Sequence, residues 1–387
     1  MKKLTVNRTV ESKINRGRVL LEKEDFKNLD LQDQLVELYT GKGQFLATAY
    51  LSQQNKGLGW ILSRQKIHFD VAYLVEVFQA ARARRASFEA DDQTTAYRLF
   101  NQDGDGLPGV TVDRYGDYAV FSWYNPFIYS HRDMIGQAFQ TVYPEILAAS
   151  QKIRFKGLDF ESDWFYGEMK EQAFPVTENG VSYSVFLNDG LMTGIFLDQH
   201  DVRGALVEGL AAGQSLLNMF SYTAAFSVAA AMGGASETTS VDLAKRSREL
   251  SEAHFLENGL PLDNHKFVVM DVFDYFKYAK RHDLRFDVIV LDPPSFARNK
   301  KMTFSVAKDY HRLIDQSLDI LNPGGMILAS TNAANVSREK FKKEIQKGLG
   351  QVSYTIEREF SLPADFVFNK QEESSNYLKV VCIRVNK

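Results

Sequence analysis

The stretch Phe286-Asp287-Val288-Ile289-Val290-Leu291-Asp292-Pro293-Pro294-Ser295-Phe296 reads as a buried strand that stops abruptly. Residues 288–291 form a continuous apolar run rich in β-branched side chains, the pattern of a parallel strand covered on both faces. Two consecutive prolines then hold φ near −65° and withdraw two N–H donors, so the Asp292 carboxylate and the Pro293 carbonyl project rigidly past the sheet. In open α/β sheets, ligands bind beyond the carboxyl ends of the strands. Taken alone, Asp-Pro-Pro suits a simple strand-ending turn as well as a site. The flanking sequence decides between them.

From about Leu191 helix and strand alternate. A helix over 202–210 precedes the strand 215–220, a small-residue helix spans 224–232, and a strand over 238–241 ends in Asp242. A helix over 244–257, a strand over 266–270 ending in Asp271 and a helix over 274–281 lead to the opening stretch. Repeated units of this size imply a Rossmann-like, doubly wound α/β sheet. Asn218, Asp242, Asp271 and Asp292 then fall at or just past the ends of successive strands, whose tips line one crevice. Any one of them is an ordinary helix cap; four in order point to a ligand. An acid after the second strand suits the two hydroxyls of a ribose, and Asp271 suits an adenine amino group. The turn Phe220-Ser221-Tyr222-Thr223-Ala224 carries neither Gly-x-Gly-x-x-Gly nor Gly-Lys-Ser/Thr, the usual cradles for pyrophosphate and triphosphate. Adenosine without phosphates fits better.

Upstream the texture differs. Residues 1–69 hold short apolar segments punctuated by Gly41, Gly43, Gly57 and Gly59, which predicts a small β-barrel. Residues 70–190 open with a helix over 70–86 and continue through a hairpin at Tyr115-Gly116-Asp117, which predicts a central α+β domain; 191–387 is the Rossmann-like part. The net charge of −3, from 46 Lys+Arg against 49 Asp+Glu, leaves nucleic-acid binding to a local basic patch. One cysteine, Cys382, excludes an internal disulfide and a cysteine-rich metal site, and the seven histidines form no metal-ligand pattern, so no metal is expected. No apolar run is long enough for a membrane helix and the first residues lack the apolar core of a signal peptide, so the cytoplasm is the expected location.

S-adenosylmethionine is an adenosine ligand without phosphates. The set Asn218-Met219-Phe220-Ser221-Tyr222-Thr223, Val241-Asp242, Asp292-Pro293-Pro294-Ser295-Phe296 and Leu321-Asn322-Pro323-Gly324-Gly325 resembles the class I S-adenosylmethionine-dependent methyltransferases. Within that class it resembles the large-subunit ribosomal RNA methyltransferases of the RlmI and RlmK type. The resemblance covers most of the chain: Glu178-Asn179-Gly180 with Thr193 to Gln199 looks like that family's lead-in to the catalytic domain, and the barrel looks like its RNA-binding PUA domain. It implies cofactor contacts from Asn218, Phe220, Ser221, Tyr222 and Thr223 near the methionine part and from Asp242 with Leu243 on the ribose side. It further implies contacts from Asp271 with Val272 on the adenine, and closure of the pocket by Phe196, Asp198 and Gln199. Asp292, which also borders the cofactor, would face the methyl acceptor together with Pro293 and Phe296.

Two departures stand out. Ala224 occupies the place of a usual glycine, adding a methyl group to the first turn. RlmI-type enzymes, which methylate cytosine at carbon 5, carry a nucleophilic cysteine in the strand end after Pro-Gly-Gly. Here that end reads Ile327-Leu328-Ala329-Ser330-Thr331-Asn332, and Cys382 sits in an alternating terminal strand that implies a buried thiol. Without covalent activation the acceptor must already be nucleophilic, which favours a ring nitrogen such as guanine N7, the RlmK-like acceptor, over cytosine C5. Arg298 and Lys300, just past the acceptor motif, are candidate contacts to RNA phosphates, with Lys13, Arg16, Arg18 and Arg82 to Arg85 behind them. The expected partner is ribosomal RNA; the oligomeric state is open, a homodimer included. The competing readings are a cytosine C5 enzyme, a methyltransferase for a small molecule or protein, and a noncatalytic RNA-binding protein.

Overall fold

The computed structural model describes residues 1–26, 33–54, 57–168, 172–298 and 303–386. The chain forms two compact units. One comprises Met1–Phe174, Phe186–Thr193 and Ala364–Ser375; the other comprises Pro175–Val185, Gly194–Pro363 and Asn376–Lys387.

The first unit contains two five-stranded sheets. The N-terminal one is built from Lys2–Thr5, Leu20–Leu21, Gln34–Tyr39, Phe45–Leu51 and Gly59–Ser63, with a helix at Arg8–Asn15 whose Val10 and Ile14 join Val36, Leu38, Ala47 and Ile61 in one core. The second runs through Ala96–Asn101, Val110–Tyr115, Tyr118–Trp123, Ala148–Ile153 and Ser162–Tyr166, and is covered by the helices Val71–Ala83 and Arg132–Val142. The stretch Ala364–Ser375 belongs to this unit although its neighbours in sequence do not. Asp365 accepts the Arg98 N–H at 2.8 Å, and Glu372 Oε1 accepts those of Val19 and Leu20 at 3.3 Å. Composition alone does not separate it from the flanking strands.

The second unit is a seven-stranded sheet: β1 (Ser215–Met219), β2 (Glu237–Asp242), β3 (His265–Val269), β4 (Phe286–Leu291), β5 (Leu321–Thr331), β6 (Tyr354–Phe360) and β7 (Lys379–Val385), in the order 3-2-1-4-5-7-6. The first five run parallel and β7 is antiparallel to both β5 and β6. Strand order reverses between β1 and β4, the topological switch point at which such sheets bind ligands. Val288 to Leu291 are buried, as their unbroken apolar pattern requires. The connecting helices are α1 (Ala225–Met232), α2 (Lys245–Glu257), α3 (Val272–Arg281), α4 (Val306–Ile320) and α5 (Arg338–Leu349). Helix α4 buries Val306, Tyr310, Leu313, Ile314, Ser317 and Ile320, one stripe at 3.6-residue spacing, and α5 is capped by Ser337 accepting the Lys340 N–H. Among the described residues no helix is long and apolar enough to cross a membrane.

Candidate active site

Strand register places the site. Met219 on β1 lies opposite Val241 on β2 and Leu291 on β4, and Leu291 lies opposite Ala329 on β5. The next residue of each strand therefore forms a row: Asp242, Phe220, Asp292 and Ser330. Asn218 is not in it. This amide sits inside β1, 1% exposed, and donates to Ser227 Oγ at 3.1 Å; β1 ends one residue later, at Met219. Its Oδ1 is buried without a partner among the described residues. Asp271 caps α3, accepting the N–H groups of Phe273 and Asp274, and the Val272 side chain belongs to the core. Leu243 and Val269 stand exposed between them, at 61% and 41%.

The turn after β1 is conformationally unusual. Phe220, Tyr222 and Ala224 take φ of 59°, 51° and 59°, so three non-glycine residues are left-handed within five positions. Each costs about 1–2 kcal/mol, and such strain persists only where surroundings impose it. Ser221 N–H donates to Val241 O at 3.0 Å, Tyr222 N–H to Asp242 Oδ2 at 2.9 Å, and Ala224 N–H to Ser221 O at 2.7 Å. Asp242 Oδ1 also accepts the Ala244 N–H at 2.8 Å, so this carboxylate ties the two strand-end turns together. The methyl group of Ala224 is fully buried; its consequence is backbone strain where glycine would have none. The buried His254 ring on α2 lies 2.9 Å from Thr223 O and 3.1 Å from Ser184 O, clamping the turn from below, and burial lowers its pKa.

The segment from Gly194 to Gln199 lies across this turn. Gly194 N–H donates to the Tyr222 hydroxyl at 3.1 Å and Gly194 O accepts from Thr223 Oγ1 at 2.7 Å. Phe196, 44% exposed, packs on the Tyr222 ring at 5.6 Å. Its carbonyl is held by Arg203 at 2.7 Å, and Arg203 is itself fixed by a buried, two-pronged pair with Glu178 at 2.6 and 2.7 Å. Asn179 donates to His200 O at 2.9 Å. Gln199 Nε2 donates to Ser330 Oγ at 2.8 Å and to Asp292 Oδ1 at 3.2 Å.

Asp292 thus has a defined setting. Ser330 Oγ donates to its Oδ1 at 2.7 Å, and the Tyr310 hydroxyl donates to Leu291 O at 3.0 Å, fixing the backbone from which it projects. Burial pushes the Asp292 carboxyl up to about 6; the Ser330 hydrogen bond restrains the shift, Asp198 adds to it, and Arg203 and Gln199 oppose it. Pro293 is buried, whereas Phe296 is 61% exposed. Strand Phe296–Arg298 pairs antiparallel with Thr303–Ser305. Ser305 ends the second of these strands, and α4 starts only at Val306. Arg298 is the last residue of the first; Lys300 lies outside the described residues. Five of the other basic candidates are engaged internally. Lys13 and Arg18 pair with Glu22, Arg82 with Glu89 and Glu145, and Arg84 and Arg85 with the buried Asp105.

The residues fit S-adenosylmethionine on their own terms. A buried amide oxygen on Asn218 lacks a partner among the described residues, a strained turn follows at Phe220 to Ala224, and the exposed Leu243 adjoins Asp242. A family model described as S-adenosylmethionine-dependent methyltransferase matches residues 147–367, and one for a PUA-like domain matches 4–64. The chain belongs to the RlmI-like S-adenosylmethionine-dependent methyltransferases. This methyltransferase is 46% identical, over 99% of its length and all of the relative's, to Bacillus subtilis YwbD, whose name places it among ribosomal RNA large subunit methyltransferases. It is 32% identical to ribosomal RNA large subunit methyltransferase I of Photobacterium profundum, over 80% of its own length and 79% of that protein's. The crystal structure of SMU.776 complexed with SAH superposes with a TM-score of 0.97, at 57% identity and full coverage of both chains.

Ser330, Glu178, Arg203, Tyr310 and His254 hold the candidate residues in place and are not among those the sequence singled out. Ser330 carried a signal as a polar residue at the end of an apolar strand, and Glu178 as part of the quoted Glu178-Asn179-Gly180 motif.

Proposed function

We propose that this methyltransferase modifies a base nitrogen of large-subunit ribosomal RNA, with guanine N7 as the favoured atom. The relatives' names supply the RNA, and one observation carries the choice of atom: no thiol lies at the end of β5. Cys382 is on β7, opposite Leu328, fully buried, and burial pushes its thiol up to about 12, so it is neither a thiolate nor within the crevice. When bound, S-adenosylmethionine would supply an electrophilic sulfonium methyl for the nitrogen lone pair, the S–C bonding pair returning to sulfur. The protein's part is alignment. In this reading Asp242 takes the ribose hydroxyls, Leu243 and Val269 flank the adenine, Asp271 and the Val272 backbone border it, and Asn218 with the Phe220–Thr223 turn holds the methionine end. Phe196 and Asp198 close that pocket. Phe296 stacks on the splayed base, Asp292 accepts from its N–H groups, and Arg298 and Lys300 contact phosphates.

The test is transfer of labelled methyl groups to ribosomal RNA from a strain lacking the gene, with nucleosides identified by mass spectrometry. Asp292→Ala should abolish transfer while calorimetric binding of S-adenosylmethionine stays within about threefold. Recovery of 5-methylcytidine as the product would overturn the nitrogen assignment.

A further inference from the structure

Asp292 is held on one side only. Ser330 Oγ and Gln199 Nε2 both donate to Oδ1, and no described residue donates to Oδ2. Donor and acceptor roles in this cluster are forced. An ionised carboxylate only accepts, so the Gln199 amide must turn its nitrogen to Asp292; the Ser330 proton is spent on the carboxylate, so its oxygen accepts the second Gln199 N–H. Both amide protons are then used, and Gln199 Oε1 is left buried with no partner among the described residues. A side chain kept for stability alone would not bury an unsatisfied acceptor. Gln199 is 3% exposed and Ser330 2%, so neither is a solvent-facing accident.

We propose that Gln199 and Ser330 are positioning residues that occupy Oδ1 of Asp292 and turn Oδ2 to the methyl acceptor, so that the site selects a base offering an N–H donor. The proposal rests on the nitrogen-methylation reading above and deepens it. It also gives the segment 194–199 a second role. The turn that covers the cofactor carries, three residues past Phe196, the amide that orients the acceptor group.

The experiment uses the full chain and the same unmethylated ribosomal RNA. Ser330→Ala, Ser330→Thr and Gln199→Ala are compared with the parent for S-adenosylmethionine binding by calorimetry, kcat, KM for RNA, and the pH profile of kcat/KM. Losing a donor to the carboxylate raises its proton affinity, so the acid limb should move up by about one pH unit in Ser330→Ala and Gln199→Ala. We expect kcat to fall about 10- to 100-fold with cofactor affinity within threefold, and Ser330→Thr, which keeps the hydroxyl, to recover most of it. An unmoved acid limb with kcat unchanged would overturn the positioning role. If the parent makes an N-methyl nucleoside while the variants behave like it, only this proposal falls; if the parent makes 5-methylcytidine, the nitrogen reading falls first.

Discussion

Glu178→Gln should unfold this enzyme far more readily than its remoteness from the chemistry suggests. Glu178 and Arg203 are 0% and 2% exposed, joined by two bonds of 2.6 and 2.7 Å. Removing one partner of a buried pair strands the other charge, at a cost of about 3–5 kcal/mol. In a unit of this size 1 kcal/mol shifts Tm by about 2–4 °C, so a fall of about 10 °C is expected. The companion Glu178→Leu/Arg203→Met should recover most of that loss, because two apolar side chains need no compensation. It should not recover cofactor binding, since Arg203 also holds the Phe196 carbonyl at 2.7 Å. Urea unfolding of both single variants and the double gives the coupling energy, and calorimetry gives cofactor affinity. Additive single effects, or a Glu178→Gln loss below about 1 kcal/mol, would refute the reasoning.

Because the Asp292 carboxyl is raised to about 6, the folded state binds its proton more tightly than the unfolded chain does. Stability is therefore lost as pH rises from about 4 to 6, and Asp292→Asn should raise stability by about 1–2 kcal/mol at pH 8 and by little at pH 3.5, as read by thermal unfolding. Methyl transfer by the parent should rise with pH through a midpoint near 6 as that carboxylate ionises; a flat profile between pH 5 and 7 would count against its role. Cys382→Ala should keep full transfer activity, whereas a covalent mechanism through that thiol predicts none. Ala224→Gly relieves about 1–2 kcal/mol of left-handed strain but gives up a buried methyl worth about 0.8 kcal/mol and about 0.4–1 kcal/mol of chain entropy. Its Tm should accordingly stay within a few degrees of the parent, and a large stabilisation would show that the strain is worse than this sum.

The sheet was legible because burial writes itself into strands. Val288 to Leu291 could only be a covered strand, and Asp-Pro-Pro could only end it. The tips were legible to within one residue: Asn218 was assigned to the end of β1, and the strand's register with β2 and β4 runs on to Met219. What escaped is everything that depends on pairing at a distance. Gln199 and Asp292 are 93 positions apart, Ser330 and Asp292 are 38 apart, and neither separation has a periodic signature. Ser330 is level with Asp292 only because Leu291 pairs with Ala329, a fact about β4–β5 register that no local pattern encodes. Glu178 and Arg203 likewise meet only once the hairpin Phe174–Glu178/Val181–Val185 is formed.

That register also bears on what the end of β5 does. Ser330 faces the Asp292 carboxylate and donates to it, while the next side chain, Thr331, is fully buried and accepts the Ala333 N–H at 3.2 Å. Each hydroxyl is spent on a hydrogen bond inside the protein, and a hydroxyl whose proton is shared with a carboxylate that also accepts from Gln199 has no separate base to activate it. The strand end that would carry an attacking thiol in a cytosine C5 enzyme therefore orients a carboxylate. On the proposed nitrogen-methylation reading nucleophilicity comes from the base itself, and the pairing of β4 with β5 sets the carboxylate that orients it.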